Sequence, residues 1–153
     1  MFRNNRILIL FISVVFCTSF KSCKKNNQTD PDDSIPYQAI NLTIYPNDPL
    51  YFKVRTVGGW MYIDGGVNGI VLYRKTVTNS SSDFVAVERT STYYPGDPYA
   101  RVKVESDNLT LKDSISGSKW QIYDGVLISG PATQNLKLYT TVFDGINTLT
   151  IKN

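Results

Sequence analysis

The sequence predicts an all-β domain, a small antiparallel sandwich of about ten short strands. Three observations predict it. From Tyr37 onward the chain is a succession of short runs rich in Val, Ile, Thr and Tyr, residue types that suit a pleated, half-buried surface. Gly, Pro, Asn and Asp interrupt these runs at short intervals. No stretch sustains the apolar period of a helix.

The expected strands are residues 39–45, 51–54, 60–63, 69–75, 84–89, 100–105, 109–112, 119–123, 136–143 and 148–152. Between several of them stand Gly58-Gly59, Asp64-Gly65-Gly66, Asp124-Gly125 and Asp144-Gly145, which tolerate the positive φ that tight hairpin connections need. The last run places Leu149 and Ile151 on one face and Thr148, Thr150 and Lys152 on the other. That alternation belongs to a sheet with one wet face. No internal repeat is present.

A chain of 153 residues has room for one domain, and its hydrophobic share of 42% and charged share of 19% are those of an ordinary folded protein. The formal charge of +3 resides at the N-terminus. Of 16 Lys and Arg, Arg3, Arg6 and Lys21 precede Cys23, which leaves 13 against 13 Asp and Glu thereafter. The remaining basic residues are scattered among carboxylates, so no nucleic-acid partner is expected.

The chain has no histidine, and its cysteines are Cys17 and Cys23 alone. A Ser-His-Asp or Cys-His nucleophile, a His or Cys zinc site and a cluster held by the β domain are therefore excluded. No cofactor and no metal site are expected. Asp97, Asp113 and Asp124 match the spacing of no calcium loop, and Asp97 beside Pro98 and Asp124 before Gly125 read as turn residues.

Arg3 and Arg6 are followed by an apolar run of 14 residues, 7–20, and then by Lys21, Ser22 and Cys23. The run is shorter than the about 20 residues of a membrane-spanning helix and has the proportions of an export signal. Ser22-Cys23 resembles the cleavage site of a bacterial lipoprotein, although Phe20 and Lys21 stand where that signal has a leucine-like and a small residue. The expectation is a signal peptide over 1–22 and a lipidated Cys23, the alternatives being an uncleaved anchor or a cut near Ser19. Residues 23–34 are polar and aperiodic and read as a flexible tether, with the β domain over 35–153.

More than half of the chain, from Gly69 on, carries blocks whose order and spacing resemble the Rieske iron–sulfur domain. They are Gly69-Ile70-Val71-Leu72-Tyr73-Arg74, Phe84-Val85-Ala86-Val87-Glu88-Arg89-Thr90, Gly117-Ser118-Lys119-Trp120, Asp124-Gly125-Val126, Ser129-Gly130-Pro131-Ala132, and residues 136–139 and 144–151. The resemblance implies a Rieske-like sandwich with two loops at one tip, the first bearing Cys-x-His and the second Cys-x-x-His. Here Ser91 and Tyr93 stand at the first pair and Asp113 and Ser116 at the second. All four implied ligands are replaced.

The same resemblance gathers Tyr93, Tyr94, Tyr99 and Trp120 in or beside those loops. Exposed, they would form an aromatic binding surface; packed together, they would fill the space of the lost cluster. The functional expectation is a non-catalytic lipoprotein of the cell envelope, a binding or structural module whose partner is an unidentified envelope protein or glycan, held through its lipid at a membrane, the outer one by expectation. The alternatives are an accessory docking subunit for polysaccharide or protein handling and, behind it, a carboxylate-based hydrolase.

Overall fold

The computed structural model describes residues 35–153, so the expected signal peptide, Cys23 and the tether lie outside the described residues. Ten strands form two antiparallel sheets, as expected for a small all-β sandwich. They are β1 (Asn41–Ile44), β2 (Trp60–Ile63), β3 (Ile70–Arg74), β4 (Phe84–Glu88), β5 (Val102–Val104), β6 (Thr110–Asp113), β7 (Lys119–Gln121), β8 (Leu127–Ser129), β9 (Leu138–Phe143) and β10 (Leu149–Lys152). The larger sheet runs β1-β10-β9-β4-β3-β2 and the smaller runs β5-β6-β7-β8.

Side-chain alternation on β3 and β4 explains how two sheets share one domain. Ile70 and Leu72 of β3, with Phe84 and Ala86 of β4, enter a core completed by Ile44, Val54, Leu149 and Ile151. Val71 and Tyr73 of β3, with Val87 of β4, point the opposite way into a second core with Val102, Leu111, Trp120 and Ile122. A strand covered on both faces has no use for a polar alternate position, which is why residues 70–73 read as an unbroken apolar run. The chain passes between sheets where Thr90 bridges Arg101 and the Val102 amide donates to the Arg89 carbonyl at 2.7 Å.

Two buried carboxylates pin the ends of this hairpin. Glu88 accepts five hydrogen bonds: from the Tyr139 hydroxyl at 2.6 Å, the Val67 and Asn68 amides at 2.9 and 3.1 Å, and the Thr90 amide and hydroxyl at 2.9 and 2.7 Å. Burial pushes its carboxyl upward, but these donors outweigh burial and hold it below the usual range. Gly66 is required here, because a Cβ on it would stand 2.2 Å from the Glu88 carboxylate in a backbone of φ +65°. At the other end Asp83 meets Arg74 at 3.3 Å and accepts from Thr76, from Thr78 twice over and from the Asn79 amide. Burial again acts upward, and the hydrogen bonds led by Thr78 bring its carboxyl down to about 2.

Two elements depart from the sequence expectation. Residues 51–54 were expected as a strand but belong to a 3-10 turn, Pro49–Val54. Asp48 caps it by accepting the Leu50 amide at 2.8 Å, and Pro49 supplies the preset φ of a first helical position. With Val54 alone buried among its residues, the segment had no strand face to offer. Conversely, β8 was missed because its three residues sit between Gly125 and Gly130, and its pairing with β7 is irregular.

Replacing Glu88 by Ala strands five donors, three of them on other segments: the Tyr139 hydroxyl and the Val67 and Asn68 amides. Glu88→Ala is expected to lower stability by about 3–5 kcal/mol and Tyr139→Phe by about 1–2 kcal/mol, measured as urea midpoints. Lowered carboxyl pKa values also set a pH window. The unfolded chain takes up protons near the ordinary carboxylate value of 3.8, before Asp83 does in the fold. Stability should therefore hold above about pH 5 and fall as pH drops toward about 2, with a shallower slope in Asp83→Asn, read by thermal melts across that range.

Candidate functional site

The first loop, residues 91–100, leaves β4 and is closed at its base by the Ser91 amide donating to the Ala100 carbonyl at 2.8 Å. Ser91 is fully buried, and its hydroxyl accepts the Tyr93 amide at 3.3 Å. Asp97 serves the loop's own turn by accepting the Tyr99 amide at 2.8 Å. Tyr93 is half-buried and packs against the second core. Its ring meets Tyr94 edge-on at 4.3 Å, and a side-chain hydrogen bond with Tyr94 raises its phenol above the ordinary value.

The second loop, 113–118, folds around Asp113. This buried carboxylate accepts the Ile115 amide at 3.0 Å and the Ser116 hydroxyl at 2.7 Å, while the Asp113 carbonyl accepts the Gly117 amide. Ser116 continues the chain of bonds to Ser118 at 3.0 Å, and the Ser118 hydroxyl accepts the Ala132 amide at 3.0 Å. The two most distinctive sequence blocks thus meet in space: a Cβ on Gly130 would stand 2.4 Å from the Ser118 Cα. At φ +108° and that distance, position 130 accepts glycine alone.

A third segment ties both loops together. The Gln134 carbonyl accepts the Thr92 hydroxyl at 3.0 Å and the Trp120 indole N–H at 2.9 Å. Trp120 faces Leu111 across β6 and β7, and both side chains are fully buried. Among the described residues every buried side-chain nitrogen or oxygen has a hydrogen-bond partner.

The four positions implied to hold a cluster therefore carry hydroxyls and a carboxylate already engaged in their own loops. Such donors do not fit a centre that takes two thiolates and two imidazoles. Asp97, Asp113 and Asp124 do not converge; Asp124 accepts the Val126 amide at 3.0 Å, and among the described residues no three His, Cys, Asp or Glu side chains group as metal ligands. Of the four aromatics, Tyr99 and Tyr94 are 76% and 52% exposed, whereas Trp120 belongs to the core. The possible role of Trp120 in a binding surface is corrected: its β7 position points inward, opposite Leu111.

The structure also presents a groove that sequence reasoning missed. It encloses about 340 Å³ between β1, the 3-10 turn and β2, lined by Leu42, Ile44, Leu50, Met61, Ile63 and Asp64 among others. Its one legible signal was Leu50, an exposed apolar residue just before the segment expected as a strand. No protein-family model matches the chain, and no curated protein matches it in sequence.

Truncating the two aromatics separates core from surface. Trp120→Ala should cost about 3–5 kcal/mol by denaturant titration, and Tyr99→Ala should stay within about 0.5 kcal/mol of the parent.

Proposed function

We propose that the chain is a lipid-anchored, non-catalytic binding module of the cell envelope, built on a Rieske-like β domain that carries no iron–sulfur cluster. The observation that carries this reading is the closure of the two loops: Ser91, Asp113 and Ser118 are buried and engaged, and Gln134 clamps Thr92 to Trp120 above them. Side chains that satisfy one another in this way replace a cofactor with packing. The long-range meeting of Gly117-Ser118 with Gly130-Pro131-Ala132 supports the resemblance from which the loops were located.

A non-enzymatic role is consistent with how the buried carboxylates are used. Asp83, Glu88 and Asp113 each hold a loop through several hydrogen bonds, which leaves them poorly suited to shuttle protons for a hydrolase. The accessory-subunit alternative, docking through the loop tip, draws on the exposure of Tyr94 and Tyr99 there. Envelope location rests on the N-terminal pattern: two arginines, an apolar run too short to span, and Ser22-Cys23.

Expression of the full chain in a bacterial host tests the anchor directly. The protein is expected in the membrane fraction, with a mature mass that begins at Cys23 and includes the added lipid. Cys23→Ser should abolish both the added mass and the processing. A mature chain cut near Ser19 and released in soluble form would overturn the anchor.

A further inference from the structure

β1 and β2 are the two terminal strands of the larger sheet, and both line the same groove. Which of their backbone groups face it follows from the hydrogen-bond phase of the ladders, since bonded and non-bonded pairs alternate along an antiparallel pair. The Asp144 amide donates to the Thr148 carbonyl, so Thr148, Thr150 and Lys152 turn toward β9. Leu149 and Ile151 then turn toward Ile44 and Leu42, which leaves the backbone groups of Asn41 and Thr43 on the outer edge of β1. Likewise the Arg74 amide donates to the Gly59 carbonyl, so Met61 and Ile63 bond β3, and Trp60 and Tyr62 present theirs on the outer edge of β2. Among the described residues no backbone bond occupies either set.

The floor between these edges is apolar, and one end carries a charge. Leu42, Ile44, Met61 and Ile63 direct their side chains inward beside the exposed Leu50. Asp64, at the end of β2, is exposed and has no hydrogen bond or ion pair among the described residues. A free carboxylate at the end of an apolar trough bordered by open strand edges is complementary to a backbone that bonds edges, alternate apolar side chains, and a cation at one end.

We infer that the groove between β1 and β2 is a strand-docking site for an extended peptide segment of a partner protein, with apolar residues at alternate positions and a basic residue that reaches Asp64. The edge amides and carbonyls of Asn41, Thr43, Trp60 and Tyr62 hold its backbone, and its apolar face covers Leu50 and Met61. Because all neighbouring strands of the six-stranded sheet are antiparallel, β1 and β2 run in opposite directions. A segment between them therefore lies antiparallel to one edge and parallel to the other. The inference rests on the chain being a binding module and supplies that module's site and class of partner.

The probe is a capped heptapeptide of alternating threonine and valine ending in lysine, with a twin ending in glutamate. Both are titrated against the full chain in lipid nanodiscs, with amide hydrogen exchange read by mass spectrometry and affinity by fluorescence anisotropy. The expected result is slowed exchange in segments 41–44 and 60–63, with the lysine peptide bound about two- to fivefold more tightly, the range of an exposed ion pair. Asp64→Lys should invert that preference, and Leu50→Glu, at an exposed position that spares the fold, should weaken binding tenfold or more. No protection with millimolar peptide overturns the inference. Protection that instead grows with chain concentration alone makes the occupant a second copy, and decylamine binding as tightly without protecting the amides makes it a small amphiphile; either also overturns it. The mass of the mature N-terminus is read on the same sample, so failure of the groove is distinguishable from failure of the anchored-module reading.

Discussion

The hairpin of β3 and β4 is buried on both faces, and the rest of the domain is arranged to keep it so. One face needs β1, β9, β10 and the 3-10 turn; the other needs the smaller sheet with Trp120 at its centre. Apolar burial is proportional to area removed from water, so a hairpin covered twice draws on the hydrophobic effect twice for one ordering of its backbone. Removing either layer would expose an alternate row of predominantly apolar side chains.

Double burial leaves the hairpin's ends with polar groups to satisfy, and the chain meets this with carboxylates. Glu88 gathers donors from β9, from the turn before β3 and from the exit of β4, while Asp83 binds the turn between β3 and β4 and holds Arg74 over the Phe84 ring at 4.3 Å. Both are anchors for loops that must change direction at the edge of a core, where an unbonded amide is costly. The same device recurs at Asp113 in the loop tip. All three buried acids hold loops through their hydrogen bonds.

The loop tip and the groove lie on different parts of the domain and have opposite character. At the tip, hydroxyls, a carboxylate and an indole close on one another, and two tyrosines remain outside. The groove is apolar, bordered by the unpaired outer edges of β1 and β2 and ended by a free carboxylate. Edge strands are the usual liability of open sheets, and natural proteins cover or charge them. Here β1 and β2 carry no lysine or arginine, so the two edges are left open to pairing.

By itself the sequence determined the all-β class, nine of the ten strands and most of the hairpin turns, because alternation, β-branched residues and Asp-Gly pairs act over a few residues and are written locally. It also showed that histidine is absent, a fact that needs no geometry to read. Only the tertiary structure decided that Trp120 is core and Tyr99 is surface, because an aromatic on a short strand reads alike in either place until its opposite face is known. It decided, too, that Asp48-Pro49 starts a 3-10 turn where a strand was expected, and that β1 and β2, separated by fifteen residues, border one groove. Such facts depend on which segments meet across the sheet order, and local pattern does not encode that meeting.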